Sequence, residues 1–300
     1  MNIRYLTHNE IDKKLWDVKI SGSLNQRIYG YSGWLDIASP KWCALVSDNY
    51  DFVMPLLVKK KFGISYIAPA KFTQQIGIFS PAEISAEIIS GFINSIPKKY
   101  KYLTIHFNSG NKFNSEYISE KPNHLLNLNS SYEALRKAFS TNTKRNIKKA
   151  KLLKFSLDKE LSVEDAVSLK TNNNVNSLSN NDLTVLKSLI HFVKDRFALK
   201  IYGIINEKSQ LISVGVFSFC GNRISLPLIA SSEEGKKNFA SFLIFDAFIQ
   251  DYALQNKILD FEGSALPGVA RFFEGWGAKP EIYYCYKQNN LPLFVRLFKK

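Results

Sequence analysis

Cysteine is scarce in this chain: three in 300 residues, Cys43, Cys220 and Cys285, an odd number set far apart. That excludes a disulfide-stapled scaffold, and the lack of any Cys-x-x-Cys excludes the common zinc frames. Each cysteine sits among apolar or aromatic neighbours, which predicts buried, reduced thiols. Histidine is equally thin. His8, His106, His124 and His191 stand alone with no His-x-x-x-His spacing, so no metal site is expected. No apolar run approaches the roughly 20 residues that span a bilayer; the best, residues 239–249, is broken by Asp246. The first 14 residues are polar and lack the apolar core of a secretory signal, so the expected location is cytoplasmic. Hydrophobic residues at 45% and charged residues at 22% exclude a disordered chain or a low-complexity fibre. The length suits two modest domains better than one.

What is abundant is positive charge. Forty basic against 26 acidic residues leave a net +14. Half of that excess falls in residues 130–154, where Arg136, Lys137, Lys144, Arg145, Lys148, Lys149, Lys151 and Lys154 face only Glu133. A field concentrated in this way attracts polyanions: nucleic acid, nucleotide phosphates or an anionic lipid surface. A solvated helix face is the plainer alternative.

Along the chain, strand and helix signals alternate. The first section reads as a strand at 2–6, helices at 10–19 and 31–38, a hairpin at 42–46 and 52–59, more strand at 65–68, a helix at 83–96 stopped by Pro97, and a strand at 102–107. A polar stretch at 115–123 marks the boundary, giving domains of 1–125 and 126–300. The chain's last residues are expected either to pack back on the first domain or to touch a membrane, since Leu291, Leu293, Phe294 and Phe298 alternate with Arg296, Lys299 and Lys300.

The second section opens with a capping-box spacing, Ser130 and Glu133, for a helix to about Phe139. A basic helix follows with Ile147, Ala150 and Leu153 on one side. Then come a strand at 155–157, helices at 163–171 and 183–197, and three strands at 200–205, 211–219 and 223–229. A long helix at 236–254 is apolar on more than one face and must pack against a sheet and something else. Strands at 258–261 and 281–287 close the section. The two halves share one order of elements without a residue-level repeat.

That order, strand, helix pair, meander of three strands, helix, strand, resembles the GNAT N-acyltransferase fold. Two longer stretches resemble FemAB-type acyltransferases, which carry two GNAT-like domains in one chain. One is Ser140-Thr141-Asn142-Thr143-Lys144-Arg145-Asn146-Ile147-Lys148-Lys149-Ala150, like the basic helix that opens their second domain. The other is Leu259-Asp260-Phe261-Glu262-Gly263-Ser264 followed by Arg271-Phe272-Phe273-Glu274-Gly275-Trp276-Gly277-Ala278, like their strand, loop and aromatic helix. The long coiled-coil hairpin of some members is absent. The resemblance implies an α+β fold of two tandem GNAT-like domains, each a mixed, mostly antiparallel sheet flanked by helices. It also implies transfer of an acyl or aminoacyl group to an amine, with acyl-CoA or aminoacyl-tRNA as co-substrate and no tightly bound cofactor. The acceptor would be a small molecule or a cell-wall or lipid precursor. The alternative is a non-catalytic nucleic-acid-binding protein on the same fold.

Such chemistry needs a base, an oxyanion stabiliser and a channel that holds both substrates in line. Glu262 is the candidate base, at the end of an apolar strand where burial raises a carboxyl's pKa; capping the Gly263-Ser264 turn or pairing with Arg271 is the structural alternative. Among Tyr283, Tyr284 and Tyr286, Tyr284 is the candidate acid for a leaving thiolate, with aromatic packing as the alternative. Gly235, Lys236, Lys237, Asn238 and Ala240 occupy the phosphate-binding turn of the resemblance, with only Ala240 matching its usual signature. Substrate contacts are expected from Gln74 and Gln75, which interrupt an aromatic stretch near Tyr31 and Trp34, and from Lys144, Arg145, Ser264 and Arg271.

Overall fold

The computed structural model describes residues 1–173, 178–263 and 267–292. Ser264 and the basic-apolar tail beyond residue 292 lie outside them. The chain forms two compact units: Met1–Pro122 joined by the residues from Ile282 onward, and Asn123–Glu281.

In the first unit, β1 (Ile3–Leu6), β2 (Cys43–Ser47) and β3 (Val53–Leu56) make an antiparallel sheet. The helices α1 (Lys13–Ser21) and α2 (Ser32–Ala38) lie between β1 and β2. Asp12 caps α1 by accepting from the amides of Lys14 and Leu15. The segment read as one strand over 52–59 is two: the chain bends at the buried Leu57, and β4 (Val58–Lys61) pairs with β5 (Ile64–Ile67) instead. Phe62 and Gly63, both left-handed, make their turn. α3 (Ala86–Asn94) leads to β6 (Tyr102–Phe107), whose alternate residues Leu103, Ile105 and Phe107 are buried. β7 (Ile118–Asn127) then carries the chain into the second unit.

The second unit begins with α4 (Tyr132–Ala138) and α5 (Thr141–Lys151). The predicted Ser130–Glu133 box does not form. Ser131 is the cap and accepts from the Ala134 amide, while the Ser130 carbonyl is taken by the Leu254 amide. On α5, Ile147 and Ala150 are buried, but Leu153 falls beyond the helix end and is exposed. β8 (Ser156–Asp158), α6 (Val163–Asn172) and α7 (Asn180–Arg196) precede a three-strand meander of β9 (Ala198–Ile205), β10 (Leu211–Cys220) and β11 (Arg223–Ser231).

The predicted helix at 236–254 is broken. A short turn of helix, α8 (Glu233–Lys237), ends at Asn238; Phe239 turns left-handed (φ +59°); α9 (Ala240–Tyr252) starts afresh. After α9 come β12 (Ile258–Asp260) and α10 (Pro267–Glu274). The sheet order in this unit is β7-β12-β11-β10-β9-β8. Its core is aromatic: Phe217 stacks on Phe248 at 3.7 Å between ring centroids, Phe261 on Phe273 at 4.6 Å, and Trp276 packs edge-on to Phe139.

The last strand, β13 (Lys279–Asn289), corrects the predicted domain limits. From Ile282 it counts with the first unit, because it forms an antiparallel ladder with β6 that runs from Tyr284 opposite Phe107 to Asn289 opposite Tyr102. The second unit therefore ends at Glu281 rather than running to the chain end. Cys43 and Cys220 are buried and Cys285, on this strand, is half-buried; no disulfide joins them.

Candidate active site

The site is built around two parallel strands that part. β11 and β12 pair over three positions only, Arg223 with Ile258, Ile224 with Leu259 and Ser225 with Asp260. β11 then continues to Ser231, held on its other side by β10 as far as the Ser213–Ser231 pair. The chain leaving β12 stays with β7 instead: the Phe261 amide donates to the His124 carbonyl at 3.1 Å. Beyond Ser225 the edge of β11 that faced β12 has no strand against it among the described residues. After β11 the chain forms the short α8 and then α9.

Glu262 sits at the parting point. It is half-buried and left-handed (φ +53°), followed by Gly263 at φ +65°. Left-handed backbone suits glycine; for a glutamate it costs about 1–2 kcal/mol. Its amide donates to Asp260 Oδ1 at 3.0 Å. Asp260 in turn belongs to a buried cluster with Arg223, Asn123 and Glu281. Burial opposes the charge on Arg223, but the Asp260 and Glu281 carboxylates outweigh it and hold the guanidinium above its ordinary pKa. Sequence reading missed this cluster. Its one visible signal was a charged residue inside the apolar strand Ile258-Leu259-Asp260-Phe261; Arg223 lay hidden behind the Gly221-Asn222 turn.

The predicted phosphate turn has other work. Ser232 caps α8 by accepting from the Gly235 amide at 3.1 Å, and its carbonyl takes the Lys236 amide. The amides of Asn238 and Phe239 bond back to Glu234 and Lys236. Gly235 is pressed on β10: a Cβ there would lie 2.1 Å from the Ile212 carbonyl oxygen. Lys236 pairs with Glu233 at 2.6 Å, Lys237 is exposed, and Ala240 is buried in the first turn of α9. The amides of Gly235, Lys236, Asn238 and Phe239 are thus taken by the chain itself, and the first turn of α8 carries two glutamates.

The two stretches singled out in the sequence meet. The Ser140 amide donates to the Gly275 carbonyl at 2.9 Å, a Cβ on Gly275 would come within 2.7 Å of Thr143 Oγ1, and Gly277 (φ +78°) lies against Ala138. The aromatic turn after α10 is thus clasped by the α4–α5 junction. On α5, Lys144 reaches the Lys137 carbonyl and Arg145 the Asn142 side chain at 2.5 Å. Lys148 and Lys149 are exposed, and Lys149 stands 5.7 Å from the Phe239 ring centroid, beside the start of α9. Lys151 pairs with the buried Asp246 of α9 at 2.7 Å, and Tyr132 donates to the same carboxylate. Arg271 is exposed and makes no ion pair among the described residues; Glu274 lies 3.4 Å from His124.

In the first unit, Gln75 is fully buried. Its Nε2 donates to Gln74 Oε1 at 3.1 Å, while its own Oε1 has no hydrogen-bond partner among the described residues. The Gln74 carbonyl lies 3.1 Å from His106 Nδ1, and the His106 ring meets Tyr283 edge-on at 5.7 Å. Trp34 is buried and donates to Thr73. Tyr284 is buried, and burial, then the charge of Glu120, pushes its phenol up. Tyr286 packs among Phe107, Phe113 and Tyr117.

No protein-family description and no curated protein matches the chain. Solved structures do. FemX aligns with a TM-score of 0.65 at 12% identity, over 99% of this chain and 100% of that one. A tandem GNAT protein from the clavulanic acid biosynthesis pathway aligns at 0.53 and 10%, over 97% and 99%. L-PGS from Bacillus licheniformis aligns at 0.51 and 10%, over 86% and 87%. These alignments show the fold: the chain shares that of FemX and of a tandem GNAT protein.

Proposed function

We propose that the protein is an N-acyltransferase that moves an acyl or aminoacyl group from an activated donor to an amine. The observation that carries this is the parting of β11 from β12 with Glu262 at its apex. The likeness to FemX, L-PGS and a tandem GNAT protein supports the same reaction class.

In the proposed reaction the amine nitrogen attacks the activated carbonyl carbon. The new C–N bond forms, the bond to the donor's oxygen or sulfur breaks, and the leaving group takes a proton. Glu262 receives the proton released by the amine, directly or through water.

For the donor, the occupied amides and the two glutamates of the α8 turn favour aminoacyl-tRNA over acyl-CoA. The exposed lysines of α5 beside the start of α9 supply charge for a phosphate backbone.

A thermal-shift panel of acetyl-CoA, longer acyl-CoAs and bulk aminoacylated tRNA tests this reading. Charged tRNA is expected to stabilise the protein and to lose its aminoacyl group when a primary amine is added. Tight RNA binding with no transfer from any donor would favour the non-catalytic alternative.

A further inference from the structure

Asp260 is the last residue of β12 and is 1% exposed. Three donors converge on its carboxylate. Arg223 donates to Oδ2; Asn123 Nδ2, at 2.8 Å, and the Glu262 amide, at 3.0 Å, donate to Oδ1. Arg223 is itself fixed, because its second nitrogen donates to Glu281 Oε1 at 2.8 Å. The carboxylate therefore has no freedom to turn, and neither does the amide it accepts from. That amide opens a turn in which Glu262 and Gly263 are both left-handed. Glutamate adopts this backbone only where its surroundings impose it.

We propose that Asp260 is a positioning residue: braced by Arg223 and Asn123, it holds the Glu262 amide and so locks the turn that sets Glu262 at the parting of β11 and β12. This rests on Glu262 being the base of the proposed transfer. An aspartate is required, because both of its oxygens accept. An asparagine in its place turns its NH2 toward either the guanidinium or the two N–H donors, so one donor always meets another.

Two measurements decide the proposal, and they fail separately. The first is a stability cycle that needs no substrate: urea midpoints of the wild type, Glu262→Gly, Asp260→Asn and the double variant. Glycine relieves the left-handed strain, so Glu262→Gly should raise the midpoint. With Asp260→Asn the lock is gone, the turn relaxes, and the gain should shrink or vanish. An equal gain in both backgrounds overturns the proposal. Should Asp260→Asn not fold, Arg223→Lys takes its place in the cycle, keeping the charge but losing the fork to both carboxylates.

The second measurement uses bulk aminoacylated tRNA with a primary amine as acceptor. Asp260→Asn should lower kcat at least tenfold with KM for the tRNA unchanged, and should add little to the loss in Glu262→Gln. A folded Asp260→Asn protein with wild-type kcat, or one whose defect multiplies in full with Glu262→Gln, overturns the link to chemistry. If the wild type transfers nothing, the proposed function falls, while the stability cycle still decides the lock.

Discussion

At the scale of single residues, the account turns on Glu262 and the charges behind it. If Glu262 takes the proton in the transition state, Glu262→Gln should cost about 10²- to 10⁴-fold in turnover while leaving the melting temperature near that of the wild type. Arg223 is a different case. It is 7% exposed and pairs with the buried Asp260 and with Glu281, so removing its charge leaves the Asp260 carboxylate buried without its counter-charge. Arg223→Met should destabilise the protein by about 3–5 kcal/mol in urea titration. The sequence showed the first of these residues and not the second. Glu262 stood out because a resemblance marked its strand. Arg223 did not, because a buried ion cluster is assembled by residues far apart in the chain, here 123, 223, 260 and 281, and no local pattern announces it.

At the scale of elements, periodicity carried most of the fold. The meander β9–β11, the basic helix α5 and the helix pair α6–α7 all lie where apolar spacing put them. The failures have local causes. Apolar residues recur at helical spacing from Phe239 to Tyr252, so nothing in their spacing revealed that Phe239 turns left-handed and divides the helix. A strand signal also cannot say when consecutive residues change sheets, as they do between β3 and β4. Gly235 illustrates what sequence leaves ambiguous. A glycine before a helix reads as a phosphate contact, but here it allows α8 to press on the Ile212 carbonyl. Gly235→Ala should cost about 1–3 kcal/mol, read as a lower urea midpoint, whether or not a donor is present. The exposed face of α5 makes a separate prediction. Each of Lys148→Glu and Lys149→Glu should weaken tRNA binding and flatten its salt dependence by about one counterion per lost phosphate contact.

For the whole molecule, the order of elements in each half and the α+β class were readable, because packing physics and a family likeness pointed the same way. The return of β13 to the first unit was not, since the pairing of a terminal strand depends on which sheet edge is vacant. No helix among the described residues is long and apolar enough to cross a membrane. One global property follows from a single half-buried group. Burial pushes the His106 imidazole below its ordinary pKa of 6.5, outweighing its bond to the Gln74 carbonyl. The unfolded chain then takes up a proton at this residue that the folded chain refuses. Stability should be full above about pH 6.5 and fall as the pH drops below it. Denaturation midpoints from pH 7.5 to 5 should show the slope, and His106→Gln should reduce it.

The most direct test of the central claim is a single-turnover transfer assay with bulk aminoacylated tRNA and a primary amine, run side by side on the wild type and Glu262→Gln. The account predicts a new amide product from the wild type and a rate lower by about 10²-fold or more from the variant, with equal tRNA binding by both. Equal rates from the two proteins, or tRNA bound by both and transferred by neither, would contradict it.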